Sequence, residues 1–285
     1  MSRRKGVSAP KDDEIAQLWP GSSHDLLKAL HILTPDGRLN QDSRRKLKQV
    51  LHLVQLLRPT LEGLAAEEPE PLIADLGAGK SYLGLILYDL ILGPSGHGRL
   101  AAIDIREDLA ATAGKIAREA GFTRARFTAA PIADAKADAA LDGQRPALVT
   151  ALHACDTATD DAIRFALKHD AKAIALIPCC QAEAAQSLDG LKGPLDALWR
   201  HPIQRRAFGA HLTNTIRALL LESHGYKVRV TEFTGFEHTQ KNELILAERV
   251  QKSNAQAKAQ LARLLEQVPV TLGVLDLAES HNAAP

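Results

Sequence analysis

The chain has 285 residues, 45% of them hydrophobic and 24% charged, with a formal net charge of +1 at pH 7. That length suits one large α/β domain with an extension, or two small domains. No run of about 18 apolar residues occurs, which argues against a membrane span, and the near-neutral balance does not announce a nucleic-acid binder.

Residues 1–70 are expected to form a helical N-terminal region. Met1 to Gly6 is basic, but no apolar stretch follows it, so a secretory signal is not expected. Asn40-Gln41-Asp42-Ser43 offers a helix cap, and Leu47, Val50, Leu51 and Val54 then recur at helical spacing. Glu67 to Pro71, with two prolines among acids, reads as a linker.

From Leu72 short apolar runs alternate with helical stretches. Strands are predicted at Leu72–Leu76, Leu100–Ile105, Ala125–Ala129, Ala147–Leu152 and Ala171–Ile177, with helices at Ser81–Leu92, Glu107–Ala120 and Asp160–His169. Continuous apolar strands separated by amphipathic helices indicate a parallel sheet covered on both faces. A long helical passage is expected from Glu183 to Ser223, broken near Pro194 and Pro202. Two further strands, Lys227–Phe233 and Asn242–Glu248, stand close enough to pair as a hairpin. The expectation is an α/β, Rossmann-like class I methyltransferase fold: a mostly parallel seven-stranded sheet with an antiparallel last strand and a helical N-terminal extension. Residues 71–250 would form this domain. Residues 251–285 would form a helical tail, ending in an apolar stretch, Val268–Leu277, to which the sequence assigns no role.

The most informative segment is Asp75-Leu76-Gly77-Ala78-Gly79-Lys80-Ser81-Tyr82, where the first strand hands over to the first helix. Glycines there let the backbone turn tightly and approach a ligand at a helix N-terminus. A phosphate-cradling P-loop would need glycine at position 74, which is alanine, and would place Asp75 against phosphates. A dinucleotide fingerprint would need a small residue where Tyr82 stands. S-adenosylmethionine (SAM) fits better. Gly77 and Gly79 would take its amino-acid end, Asp75 its ammonium directly or through water, and Asp104 at the second strand end its ribose. Tyr82, Ile105 and Leu152 complete the expected cofactor set. Helix capping is the bland alternative for the two acids.

Two later strands end in Leu152-His153-Ala154-Cys155-Asp156 and Ile177-Pro178-Cys179-Cys180-Gln181. In a parallel sheet the crevice lies outside the carboxyl ends of the strands. If these strands are neighbours, all three cysteines, His153 and Asp156 gather there. Few cysteines, two of them adjacent, make a poor disulfide framework and favour a reducing, cytoplasmic setting. Three readings stand: a Cys₃His zinc site, a thiolate nucleophile beside His153, or the floor and slot of a transfer site with cysteines packed as small apolar groups. Adjacent cysteines rarely point the same way on extended chain, so the third is preferred and no metal is expected. Asp156 to Asp160 also suits a helix cap.

Leu-His-Ala-Cys-Asp-Thr-Ala-Thr-Asp (152–160) with Ile-Pro-Cys-Cys-Gln (177–181) resembles methyltransferase domain family 32, with its LHACGxxTD and PCC motifs. Asp75 to Leu83 matches that family's DxGxGKGYL stretch, and Arg44 to Val50 is similar to its upstream basic helix. The motifs also resemble HxCGxATD and CC segments of eukaryotic tRNA 2′-O-methyltransferases. Ser81 and Asp156 stand where the family usually has glycine. The resemblance spans about residues 40–250 and implies SAM binding on an α/β sheet.

Methyl transfer is an in-line displacement, so the protein's part is alignment and removal of any acceptor proton. His153 is the candidate base or orienting group, with Asp156 beside it in the catalytic set. Cys179 and Cys180, together with His238, Lys241 and Asn242 from the loop between the last two strands, are the candidate acceptor contacts. Basic clusters at Arg3 to Lys5, Arg44 to Lys48 and Arg200 to Arg206, with the motif resemblance, favour RNA, either tRNA or rRNA, as acceptor. The alternatives are a protein or small-molecule acceptor, or a non-catalytic SAM-binding scaffold. No membrane association and no obligate protein partner are expected.

Overall fold

A computed structural model describes residues 23–38, 40–152, 154, 157–178, 182–232 and 243–277. Two helices precede the sheet: α1 (His24–Ala29) and the long α2 (Gln41–Glu67). Ser23 caps α1 by accepting the Leu26 N–H on its hydroxyl. Helix α2 starts at the residue after Asn40 and ends at Glu67, where the acidic, proline-bearing linker begins.

The sheet follows, with strands and helices alternating as far as β5. Its elements are β1 (Leu72–Leu76), α3 (Tyr82–Leu87), β2 (Arg99–Asp104), α4 (Glu107–Glu119), β3 (Ala125–Ala129) and a short α5 (Ala135–Ala139). Then come β4 (Leu148–Leu152), α6 (Thr157–Lys168), β5 (Ala173–Ile177), α7 (Glu183–Ser187), α8 (Pro202–Ser223), β6 (Tyr226–Glu232), β7 (Glu243–Arg249) and α9 (Ala255–Gln267). Spatial order is β3-β2-β1-β4-β5-β7-β6. Strands β1 to β5 run parallel, and β7 enters between β5 and β6, antiparallel to both. This is the seven-stranded, mostly parallel sheet with an antiparallel last strand that the sequence predicts.

Every residue of β1 and β5 is buried because helices cover both faces. Alternate strand residues serve the two layers. Ala74, Leu76, Val149, Ile174 and Leu176 face α6 and α8, while Ile73, Leu148 and Ala175 face α2 and α3. A third cluster joins α1 and the first half of α2 to Leu85, Ile86 and Ile116, so the N-terminal helices share the core of the sheet domain.

Two regions depart from the sequence expectation. The helix after β1 loosens into a π-helix over Tyr88–Leu92, a segment whose apolar spacing a continuous α-helix would also satisfy. Between α7 and α8 only a 3-10 turn, Asp196–Leu198, interrupts irregular chain, where a longer helical passage is expected. After α9 the described chain runs extended over 268–272, burying Val268, Val270, Leu272 and Val274, passes through a 3-10 turn at Gly273–Leu275 and is helical at 276–277. Its backbone is tied down: Thr271 N–H donates to Ser187 Oγ, Gly273 N–H to Glu183 Oε1, and Arg164 donates to the Gly273 carbonyl. The tail therefore straps α6 to α7.

Candidate functional site at the carboxyl ends of the strands

The turn after β1 holds three residues in the left-handed region: Gly77 at φ 59°, Gly79 at 57° and Ser81 at 50°. Two of the three are glycine, as that backbone requires. A Cβ on Gly79 would meet nothing closer than Leu109 Cδ1 at 4.0 Å, and one on Gly77 would meet Ala154 Cβ at 3.5 Å. Gly79 thus faces space that the described residues do not fill, while Gly77 lies against Ala154. The turn is pinned by Ala78 N–H to the Ile103 carbonyl at 3.1 Å and by Ser81 N–H to the Ala78 carbonyl at 2.7 Å.

Asp104 ends β2 beside this turn. Its Oδ2 accepts the Gly79 N–H at 2.6 Å and its Oδ1 the Arg106 N–H at 2.8 Å. One carboxylate therefore joins two strand ends and begins the approach to α4. The next residue, Ile105, is 70% exposed, an apolar side chain standing open at the crevice wall. Leu152 ends β4 opposite Ile177 of β5, half-buried against the α2–α3 layer.

Asp75 points into the protein. It is 2% exposed, and its carboxyl accepts the Ser81 hydroxyl and the Thr150 hydroxyl, each at 2.8 Å. Burial pushes its pKa up to about 6, against the pull of those two hydroxyls. Gly84 makes room for it, since a Cβ there would lie 2.9 Å from Asp75 Oδ2 and 2.4 Å from Ser81 Oγ. In this geometry Asp75 underpins the glycine turn from below. Tyr82, the first residue of α3, packs toward the N-terminal helices, and burial raises the pKa of its phenol.

The HAC and PCC segments leave neighbouring strands, because β4 and β5 pair in parallel with Leu152 opposite Ile177. The two strands are neighbours, as the sequence reading supposed. Catalytic candidates His153 and Asp156, acceptor candidates Cys179, Cys180, His238, Lys241 and Asn242, and Cys155 lie outside the described residues. Of the basic clusters, Arg44 and Lys48 are exposed on α2, while Arg200 pairs with Asp196 and Arg205 with Asp189.

Sequence reading missed a buried polar chain that joins α6, α8 and β7. Arg217 Nε donates to Asp160 Oδ1 at 2.7 Å with both side chains 1% exposed. Arg217 Nη1 reaches Asn214 Oδ1 at 3.4 Å, and Asn214 Nδ2 donates to Glu243 Oε2 at 2.6 Å. The one available signal was an arginine set in an apolar helical stretch, Ile216 to Leu221.

No curated protein sequence matches the chain. Solved structures similar in shape include an O-methyltransferase from Bacillus cereus in complex with SAH. It is 11% identical with a TM-score of 0.48, and the match covers 84% of this chain and 96% of that one. Another is TrmK from M. capricolum in complex with S-adenosyl-homocysteine, 13% identical, TM-score 0.41, covering 78% and 93%. A third is an rRNA methylase from Streptococcus thermophilus, 12% identical, TM-score 0.42, covering 64% and 88%. The family model described as a methyltransferase domain, family 32, matches residues 45–187, just over half of the chain. That span holds β1 to β5, the glycine turn and Asp104, and the chain belongs to this family as a SAM-dependent methyltransferase.

Proposed function

We propose that the enzyme methylates RNA, with a tRNA or rRNA as acceptor. The observation that carries this reading is the pair of motifs, LHACDTATD at 152–160 and IPCCQ at 177–181, which begin at the last residues of two strands that lie side by side. They resemble motifs of tRNA 2′-O-methyltransferases, and the exposed Lys48 on α2 and Arg206 on α8 add positive charge of the kind such an acceptor needs.

SAM supplies the methyl group and its sulfonium leaving group. On this reading the Gly77–Gly79 turn receives the cofactor's amino-acid end, with Asp75 setting the turn's shape from beneath. Asp104 receives the ribose hydroxyls, and Ile105, Tyr82 and Leu152 bound the rest of the cofactor. His153 takes or orients the acceptor proton, and Asp156 assists it. Cys179, Cys180, His238, Lys241 and Asn242 contact the acceptor. The site needs no metal on this reading, and the chain works in the cytoplasm. Residues 1–70 and 251–285 flank the catalytic unit at 71–250.

The test is transfer of a tritiated methyl group from SAM to unfractionated tRNA and rRNA, with protein and salt series as controls. Incorporation into RNA that falls steeply with salt and is lost in His153→Ala, while SAM still binds, is the expected result. SAM binding without transfer to RNA would return the acceptor to the protein and small-molecule classes, or leave a scaffold.

A further inference from the structure

Helix α8 touches three chain segments, each adjoining one of the loops that hold the candidate acceptor residues. The first is α6, which begins directly after residues 153–156. Its Asp160 is bound by Arg217 of α8 at 2.7 Å. Thr159 also turns its hydroxyl back to the Ala154 carbonyl at 2.5 Å, fixing the entry to that helix.

The second segment is α7, which follows residues 178–181. Gly209 of α8 lies against it so closely that a Cβ would stand 2.8 Å from the Ala185 nitrogen and 3.0 Å from its Cα. Only glycine permits that approach.

The third is the start of β7, which follows residues 233–242. Leu176 pairs with Ile245 across the antiparallel step, so Glu243 lies two residues further out, level with Pro178 at the carboxyl edge. Asn214 of α8 binds it there at 2.6 Å. Glu243 also stands 3.8 Å from His211 of the same helix.

Stability alone is a weak reason for this chain of contacts. A buried ion pair loses the hydration of both charges and is often no more stable than an apolar pair of the same volume. Here Asp160 Oδ2 is buried with no hydrogen-bond partner among the described residues, an additional cost. What the ion pair and its extension provide is direction: charge-assisted bonds fix distance and angle where apolar contacts allow sliding.

We propose that Arg217 and Asn214 are positioning residues for the methyl acceptor. The Asp160–Arg217–Asn214–Glu243 chain, with the Gly209 contact, sets the three acceptor-side segments in register with one another and with the sheet. The proposal rests on the acceptor-side reading of residues 153–156, 178–181 and 233–242 given above. It assigns neither residue a contact with the reacting atoms.

The test replaces the pair by apolar groups of similar size, Asp160→Leu with Arg217→Met, alongside Arg217→Lys and Asn214→Ala. Three readouts are taken: SAM affinity by calorimetry, methyl transfer to unfractionated tRNA, and amide hydrogen exchange with SAH present. The expected paired variant melts cooperatively and binds SAM as the wild type does. Its transfer falls by about 10- to 100-fold, the range for misplaced reacting groups, through a raised acceptor KM or lowered kcat. Exchange rises near residues 150–160, 182–187 and 243–246 and stays unchanged over 72–84. Arg217→Lys keeps the charge and recovers part of the rate.

Wild-type transfer and exchange in the paired variant would overturn the proposal. Should that variant not fold, Asn214→Ala, which leaves the ion pair whole, carries the same two outcomes. Should the wild type itself transfer nothing to tRNA, the RNA reading fails separately. Hydrogen exchange then decides: a rise confined to the three segments supports the positioning role, and no rise overturns it.

Discussion

Gly79 donates its backbone N–H to Asp104 Oδ2 at 2.6 Å, so the turn after β1 and the end of β2 are held by one carboxylate. Asp104→Ala removes that tie along with the expected ribose acceptor. The variant should stay folded, because its side chain adds little apolar packing, and should lose SAM affinity by about tenfold or more, some 1.4 kcal/mol. Calorimetry with SAM, with ATP and NAD as controls, reads this directly. Wild-type affinity in the variant would remove Asp104 from the cofactor site.

Ser81 carries a side chain in a left-handed conformation that suits glycine, and its hydroxyl binds the buried Asp75. The two effects oppose each other. Ser81→Ala keeps the backbone strain and orphans one bond to a buried acid, which costs about 1–3 kcal/mol. Ser81→Gly loses the same bond but relieves strain of about 1–2 kcal/mol. The glycine variant should therefore be the more stable of the two in urea unfolding. The reverse order would mean that the left-handed backbone at position 81 carries no such strain.

Burial raises the pKa of Asp75 to about 6, so the folded protein holds this proton more tightly than the unfolded chain. The sign follows: stability from the protonated form is complete below the ordinary carboxylate range and is lost as pH rises through about 6. Asp75→Asn stays neutral throughout. Its melting temperature relative to wild type should climb between pH 4 and pH 7 and level off above. A flat difference across that window would show that Asp75 ionises freely.

Leu272 is buried beneath α6 and α7 in the strap that follows α9. Leu272→Ala should cost about 2–5 kcal/mol, as for other buried large-to-small changes. Urea titration measures it. A change within error would make the strap a loose appendage.

Much of this architecture was readable from residue pattern. The bounds of β1 and β3 agree with the apolar runs at Leu72–Leu76 and Ala125–Ala129, and β4 and β5 differ only at their starts. The place of Asp104 beside the glycine turn was legible because it ends the strand that pairs with β1. The inward turn of Asp75 was not, since strand alternation gives two faces without saying which one the ligand meets. The π-helix at Tyr88–Leu92 was hidden because its hydrogen bonding differs from an α-helix while its composition does not. Residues 188–201 look helical by composition, but Gly190, Gly193 and Pro194 break the run. Arg217, Asn214, Asp160 and Glu243 are scattered over more than eighty positions and meet only in the folded chain. In the tail, Val268, Val270, Leu272 and Val274 alternate as a strand would. They bury against helices instead, an outcome that period alone does not distinguish.

The insertion of β7 between β5 and β6 has a consequence for biosynthesis. A ribosome that has released the chain only as far as Ile177 has delivered five parallel strands, with Ala173–Ile177 as an uncovered, wholly apolar border. Of that border's two neighbours only β4 exists yet, and β7, which seals its free side, is the last strand to emerge, after a 22-residue helix and the outermost strand. Until residue 249 leaves the tunnel, the nascent domain presents an open edge able to pair with other chains. Chaperone demand, and the aggregation of truncated products, should concentrate in that interval of translation.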